Sequence, residues 1–292
     1  MKPNTLVTLT TDFGLQDAYV GVMKGVIWGI APQVKLVDLT HSIAPQDLWA
    51  ARFQLANSVP YFPPGTVHVA VVDPGVGSQR RAIAIQCSQG WLVGPDNGLF
   101  GGVLERYPAQ KVVNLSDRSY WRERSPSFTF QGRDIFAPVA AHLAQGVALE
   151  ALGEAIAPHQ LVQLTLPALE FEPVFEPVFK PKPGSKSGSK PVREPIPERI
   201  WATVQHLDHF GNGITTLGYT SRGGALFRGM HGRVQIGSSL IPAGKTYGAV
   251  PPGEAVALWG SHGWLEIAVN QGSARAVLGL SVGDRVEILL GD

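Results

Sequence analysis

Hydrophobic positions in the first quarter of the chain alternate between two spacings. Three runs rich in apolar and β-branched residues are typical of strands: Leu6–Thr10, Lys35–Leu39 and Val67–Val72. Between them, apolar residues recur at helical spacing from Tyr19 to Ile30 and from Leu48 to Val59. The resulting order β-α-β-α-β predicts a parallel sheet with helices on its faces.

The same kind of pattern continues to about residue 166. Ala82–Ile85 and Trp91–Val93 are predicted strands, and Ile135–Leu143 is a predicted helix that Gly146 closes. We therefore predict an α/β N-terminal domain over residues 1–166, with a mainly parallel, Rossmann-like sheet.

Composition then changes sharply. Residues 167–198 contain a short tandem repeat, Phe171-Glu172-Pro173-Val174-Phe175-Glu176-Pro177-Val178-Phe179, followed by a stretch rich in Lys, Pro, Gly and Ser. Proline removes backbone donors, and Gly and Ser raise the entropy cost of ordering the chain. This composition predicts a linker or insertion; a proline-rich ligand for a partner is the alternative.

Short alternating segments dominate residues 199–292, and they predict a smaller all-β barrel or sandwich. Only Ser273–Leu278 has helical spacing there. The predicted strands are Ile200–Val204, Arg233–Ile236, Val256–Trp259, Trp264–Val269 and Arg285–Leu290.

Charge and cysteine content narrow the class of protein. A formal net charge of +1 over 292 residues indicates neither a nucleic-acid nor a membrane partner. The single cysteine, Cys87, ends a predicted strand and fits a core position in a reducing compartment, so we expect a cytoplasmic protein. His206 and His209 lack a third ligand at metal-binding spacing, so no metal site is predicted. Dinucleotide, Walker and nucleophile-elbow glycine motifs are also missing from the sequence.

Polar residues follow the first three strands. Asp12, His41 and Asp73 each come directly after a strand, and the carboxyl ends of parallel strands meet at one sheet edge, where ligands bind. The alternatives are a turn-forming role for Asp12 and Asp73, and for Asp17 a helix cap. Arg80 returns beyond the turn that Asp73 begins, so the two either form a local surface pair or face a ligand.

Five motifs occur in an order that resembles the S-adenosyl-L-methionine (SAM) hydroxide adenosyltransferase family, whose relatives include the SAM-dependent fluorinase and chlorinase. The resemblance implies an α/β domain followed by a β domain, a homotrimer with SAM bound between neighbouring subunits, and SAM as the substrate with no cofactor. The motifs are Thr10-Thr11-Asp12-Phe13-Gly14, Val71-Val72-Asp73-Pro74-Gly75-Val76-Gly77, Gly94-Pro95-Asp96-Asn97-Gly98, Gly132-Arg133-Asp134-Ile135-Phe136-Ala137-Pro138 and Phe210-Gly211-Asn212.

Site residues are carried over from the family by motif position. The resemblance implies that Asp73 and Arg80 belong to an Asp-Arg-His set around the attacking water, and that Gln131 stands where the family has the histidine. Glutamine cannot carry a proton near neutral pH, although it can hydrogen-bond a water. The implied substrate contacts are the ribose for Asp12, the methionine ammonium for Asp17, Asp208 and Ser261, and the adenine for Phe210, Asn212 and backbone groups of Val269 and Gln271.

Hydrolysis of SAM to adenosine and L-methionine is the predicted function, with water attacking the ribose C5′ and Asp73 accepting its proton. A SAM-binding sensor with little turnover is the alternative, because Gln131 replaces a histidine. Halide transfer is disfavoured: the halogenases carry Tyr and Thr where this chain has Asp73 and Val76, and a Trp near Gln46. Two like charges at roughly 4 Å repel by about 4 kcal/mol at an effective dielectric constant near 20, so Asp73 would repel a halide.

Overall fold

The computed structural model describes residues 6–171, 199–229 and 232–290. The chain divides into two compact units, residues 1–165 and 166–292. Most of the predicted linker, residues 172–198, lies outside the described residues. Its described beginning includes a short strand, Glu170–Phe171, that pairs with the strand beginning at Arg199 in the second unit. No helix in the described part of the chain is long and apolar enough to cross a membrane.

A seven-stranded sheet forms the centre of the first unit, in the order β2-β1-β3-β5-β4-β6-β7. The pairs β1–β2, β1–β3 and β3–β5 are parallel, and the remaining three pairs are antiparallel. The predicted α/β domain with a Rossmann-like parallel core is confirmed, with an antiparallel extension. The strands are β1 (Leu6–Thr11), β2 (Lys35–Thr40), β3 (Thr66–Val71), β4 (Ala82–Cys87), β5 (Gly90–Pro95), β6 (Lys111–Asn114) and β7 (Glu154–Ile156).

Helices cover both faces of this sheet, because both faces are apolar. Helices α1 (Tyr19–Ile30) and α4 (Ala137–Ala144) belong to one buried cluster, which contains Met23 and Ile27. Helices α2 (Leu48–Ser58) and α3 (Gly101–Leu104) contribute to the cluster on the opposite side. Strand β3 is buried along its whole length, as a central strand in such a three-layer unit must be.

All strand pairs of the second unit are antiparallel, in the order β12-β11-β15-β9-β10-β14-β13, with β8 added beside β9. A bridge between Ala243 and Ala257 nearly closes the sheet into a barrel, which confirms the predicted β fold. The strands are β8 (Glu170–Phe171), β9 (Arg199–Leu207), β10 (Gly213–Gly218), β11 (Arg233–Ile236), β12 (Ser239–Ile241), β13 (Ala255–Trp259), β14 (Trp264–Val269) and β15 (Arg285–Leu289).

Two helices accompany the barrel in the described residues, α5 (Arg222–Gly229) and α6 (Ala274–Leu278). The prediction that only Ser273–Leu278 is helical is therefore wrong. Helix α5 contains three glycines, which lower intrinsic helix propensity, and packing of Phe227 into the barrel core stabilises it instead.

His68 lies at the centre of β3 with no exposed surface. Its Nδ1 hydrogen-bonds Thr8 Oγ1 at 2.8 Å, and the ring packs edge-on against Phe62. Burial lowers the pKa of His68 to about 4, so the folded protein holds a neutral imidazole.

Acidification is expected to destabilise the protein through His68. Between pH 6.5 and 4 the unfolded chain binds a proton that the folded chain excludes, so the free energy of unfolding falls by about 3 kcal/mol across this window. Urea unfolding at pH 7 and pH 4.5 measures this loss. His68→Gln should flatten the slope, whereas the exposed control His159→Gln should retain it; equal slopes in the two variants would assign the loss to other groups.

Candidate functional site

The carboxyl ends of the first three strands lie side by side. Thr11 of β1 pairs with Val71 of β3, and Thr10 pairs with Thr40 of β2. The strand-end residues Asp12, His41 and Asp73 therefore follow neighbouring strands at one edge of the sheet, as the sequence pattern predicts.

Asp73, Arg80 and Gln131 form a continuous hydrogen-bonded chain. Arg80 Nε donates to both carboxylate oxygens of Asp73, at 3.0 and 2.9 Å, and Arg80 Nη2 donates to Asp73 Oδ2 and to Gln131 Oε1. Only 5% of the Asp73 side chain and 11% of the Arg80 side chain are exposed. Because an arginine only donates, it orients the Gln131 oxygen toward itself and leaves the Gln131 amino group to donate elsewhere.

The loop between Asp73 and Arg80 closes tightly over this chain. Gly77 has a φ of +78°, and a Cβ there would lie 2.9 Å from the carbonyl oxygen of Phe128. A side chain at this position would be both strained and crowded. Glycine thus lets the loop approach the segment that leads to Gln131. Arg80 also lies over the Phe136 ring, with its Cζ 5.4 Å from the ring centroid.

Asp12 is half-buried and accepts a hydrogen bond from the backbone N–H of Gln46 at 2.7 Å. Gln46 has a φ of +69°, one of two positive values among the non-glycine residues of the described chain; the other is Gln271 at +54°. Backbone strain of this kind concentrates at functional sites. The resemblance implies an adenine contact for Gln271, and Gln46 lies near the position of the halogenases' Trp.

Asp17 is exposed just before α1, and neither it nor the N-cap residue Ala18 makes a side-chain capping bond. The capping alternative for Asp17 is therefore wrong. His41 instead serves the scaffold: its Nδ1 bonds Thr11 Oγ1 at 2.8 Å, and its Nε2 lies 3.1 Å from Asp38 Oδ1.

Residues of the Gly94–Gly98 motif hold both ends of the loop between Asp73 and Arg80. Asp96 is buried, accepts hydrogen bonds from Arg81 and from the Val162 backbone, and so holds the residue next to Arg80. Asn97 donates to the carbonyl of Val72, next to Asp73, at 2.9 Å.

Asp134 holds the segment that carries Gln131. It is 1% exposed and accepts from Arg133 at 2.7 and 2.8 Å, from Arg122 at 3.4 Å and from the Ser127 backbone at 2.9 Å. Burial alone would raise the pKa of Asp134, but these hydrogen bonds and the Arg133 charge lower it below its ordinary value. Residues Gly132–Phe136 form a π-helix, a rare distortion that is frequent at functional sites.

The second unit carries an open cleft of about 480 Å³. Four predicted substrate residues line it together, and the sequence pattern gave no signal for the aromatic residue beside them, Tyr247. The lining comprises Phe210, Asn212, Val269, Gln271, Tyr247 and Gly272. Phe210 is 73% exposed, so its ring face is open to a planar ligand.

Asp208 and Ser261 do not line this cleft. Asp208 instead orders its rim: Oδ1 accepts from the backbone N–H groups of Phe210 and Asn212 at 2.9 and 2.8 Å, and Oδ2 accepts from Asn212 Nδ2 at 2.9 Å. Ser261 is exposed on the loop before β14.

A buried carboxylate links this loop with the cleft. Glu266 accepts from the Tyr247 hydroxyl at 2.8 Å and lies 3.2 Å from Nε2 of His262, the neighbour of Ser261. Burial, followed by the hydrogen bond and charge of Glu266, raises the pKa of Tyr247 to about 12, so Tyr247 is a neutral donor.

Comparisons with known proteins point to one family. The family model for the SAM hydroxide adenosyltransferase N-terminal domain matches residues 7–153, and the model for its C-terminal domain matches residues 202–287. The chain is 39% identical to an (R)-S-adenosyl-L-methionine hydrolase of Thermus thermophilus, covering 99% of this chain and 100% of the relative. It is 36% identical to a hydrolase of the same name from Salinispora tropica, with full coverage of both.

A solved structure of an uncharacterized conserved protein from Thermotoga maritima superposes with a TM-score of 0.81 at 34% identity, covering 97% of this chain and 99% of that one. Fluorinases are more distant: the enzyme of Nocardia brasiliensis is 25% identical over 98% of this chain and 97% of its own length.

Proposed function

The chain belongs to the SAM hydroxide adenosyltransferase family, and we infer from its hydrolase relatives that it hydrolyses SAM to adenosine and L-methionine. The hydrogen-bonded chain of Asp73, Arg80 and Gln131 is the observation that supports this function within the structure. It places an ionisable acceptor, a fixed cation and an amide at a sheet edge where parallel α/β folds bind ligands.

We propose that water attacks the ribose C5′ in line with the C5′–S bond. The C–O bond forms as the C–S bond breaks, the sulfonium electrons return to sulfur, and neutral methionine leaves. Asp73 accepts the proton that water loses, with Arg80 holding its carboxylate. Gln131 accepts a hydrogen bond from Arg80 through its side-chain oxygen, and its amide N–H donates a hydrogen bond to the water. A positioned base of this kind accelerates reactions by about 10²–10⁴.

The remaining roles are also proposals. Asp12 holds the ribose hydroxyls, while Asp17, Asp208 and Ser261 face the methionine ammonium. The cleft lined by Phe210, Asn212, Val269 and Gln271 receives the adenine, which the open Phe210 ring supports. From the family resemblance we propose a homotrimer in which neighbouring subunits complete each site. The reaction as proposed uses no cofactor or metal.

Incubating the purified protein with SAM and separating the products by chromatography tests the function. Adenosine and methionine should appear in equal amounts. Chloride or fluoride added to parallel reactions should yield no halogenated nucleoside. A halogenated product would instead support halide transfer, which the lower identity to fluorinases and the Asp73 carboxylate disfavour.

A SAM-binding sensor remains the second candidate, favoured by Gln131 at the family's histidine position. Gln131→His is expected to change kcat by less than about threefold, because either side chain can accept from Arg80 and donate to water. Steady-state adenosine release at saturating SAM measures this. Gln79→His, on the same loop as Arg80, is the control. Acceleration of about 10² or more by Gln131→His, the low end of a general-base effect, would favour the sensor.

Asp12→Ala is expected to raise KM for SAM about 10- to 100-fold, because a hydrogen bond to a charged group contributes about 1.5–3 kcal/mol. Asp12→Asn keeps an acceptor for the Gln46 N–H but loses the charge. It therefore distinguishes an effect on ribose binding from an effect on the loop that contains Gln46. If both variants leave KM unchanged, Asp12 lies outside the site.

A further inference from the structure

A second cleft, of about 320 Å³, adjoins the Asp73–Arg80–Gln131 chain in the first unit. It lies at the same sheet edge, beside the start of β4 and the end of β6, where Ile83 pairs with Asn114. Arg80 and Gln131 line it, whereas Asp73 does not. The proposed proton acceptor therefore lies outside this cleft.

Three arginines are the ionisable groups that line this cleft: Arg80, Arg81 and Arg118. Among the residues that the structure describes, no Asp or Glu contributes to the lining. The nearby carboxylate of Asp117 is engaged elsewhere, since its Oδ1 accepts from the Ser119 N–H and hydroxyl at 2.9 and 2.7 Å. Arg80 and Arg81 are paired with Asp73 and Asp96, which lie outside the lining, so Arg118 carries the charge that attracts an anion.

Unused donors in the cleft point to the same ligand class. Arg118 uses one N–H in a 3.3 Å bond to the Arg124 carbonyl, and its Cζ lies 5.4 Å from the centroid of the Trp121 ring; the residue is exposed, so its other N–H groups can reach a ligand. A guanidinium can only donate hydrogen bonds, so these N–H groups suit an anion.

We propose that this cleft binds a small oxyanion of the phosphate class, free or as a monoester. Arg118 supplies the main donors, Trp121 provides the ring against which its guanidinium lies, and Arg80 forms the wall shared with the reaction site. An oxyanion here competes with Asp73 for the Arg80 guanidinium and lowers turnover. The binding claim is independent of the proposed function; only the effect on turnover rests on it.

Isothermal titration of the full-length protein with inorganic phosphate, at constant ionic strength, tests the binding. Saturable binding is expected, and Arg118→Gln should weaken it at least fivefold. Trp121→Leu removes the ring against which the Arg118 guanidinium lies and should weaken binding two- to threefold. Arg124→Gln removes a charge from the same loop outside the cleft and should leave affinity unchanged.

Glycerol 3-phosphate is titrated in parallel. Tighter binding of glycerol 3-phosphate than of inorganic phosphate would identify the ligand as a monoester, and the reverse order would identify it as free phosphate. In the wild type, phosphate should also lower the rate of adenosine release. The phosphate concentration that gives half of this inhibition should equal the concentration at the midpoint of the calorimetric curve. If the protein turns over no SAM, the calorimetry still decides the binding claim. Heat that never saturates, or equal weakening by Arg118→Gln and Arg124→Gln, would overturn the site.

Discussion

Asp73→Asn is expected to lower kcat for adenosine formation by at least 100-fold and to change KM for SAM by less than threefold. Asparagine retains an oxygen that can accept from Arg80, so the loop keeps its shape, but the side chain can no longer take a proton from water. Steady-state kinetics at limiting and saturating SAM measure both effects.

Asp96→Asn is the matched control for this experiment. Asp96 forms an equivalent carboxylate–guanidinium pair with Arg81, one residue from Arg80, yet has no part in the proposed proton transfer. Its variant should lose stability and retain most of kcat. If the two variants lose activity equally, the Asp73 pair is a scaffold and another group takes the proton. Near-normal turnover in Asp73→Asn would exclude Asp73 as the base.

Periodicity predicted the β-α-β-α-β half of the first unit because each element buries a regular apolar face. Helix α1 begins at Tyr19 and ends at Ile30, as predicted. Strand direction leaves no such trace, so the antiparallel run of β4, β6 and β7 emerged only in the structure. Helix α5 was missed for a different reason: tertiary packing of Phe227 overrides the low propensity of its glycines.

Local spacing predicted the Asp73–Arg80 pair, since only a short glycine-containing turn separates the two. Gln131 is 51 positions from Arg80, and only the family resemblance suggested that they meet. The supporting role of Asp96 was invisible in the sequence because its partner Val162 is 66 positions away. The partners of Asp134 are close in sequence, but no regular spacing marks its contact with the Ser127 backbone. Tyr247 stands outside any recognised motif, and its place in the cleft depends on barrel closure and on Glu266.

Asp134→Ala is expected to affect both stability and turnover. It leaves the Ser127 N–H without its acceptor and Arg133 without its carboxylate. Loss of a buried ion-pair partner typically costs about 3–5 kcal/mol; because Arg133 and Arg122 are 31% and 41% exposed, we expect about 2–3 kcal/mol here. Urea unfolding measures the loss. Asp117→Ala, which removes an exposed carboxylate from the same region, should lower the free energy of unfolding much less.

Turnover should also fall, because Asp134→Ala removes the support of Gln131, which lies three residues before Asp134. In the folded Asp134→Ala protein, kcat should fall about 10-fold or more while KM stays nearly constant, because Asp134 positions the water-binding amide without touching SAM. Trypsin should cut faster after Arg122 and Arg124, since the loop loses its anchor at Ser127. Asp134→Asn keeps the acceptor and should restore part of both properties. Rapid cleavage with undiminished kcat would show that Gln131 needs neither this anchor nor a fixed loop.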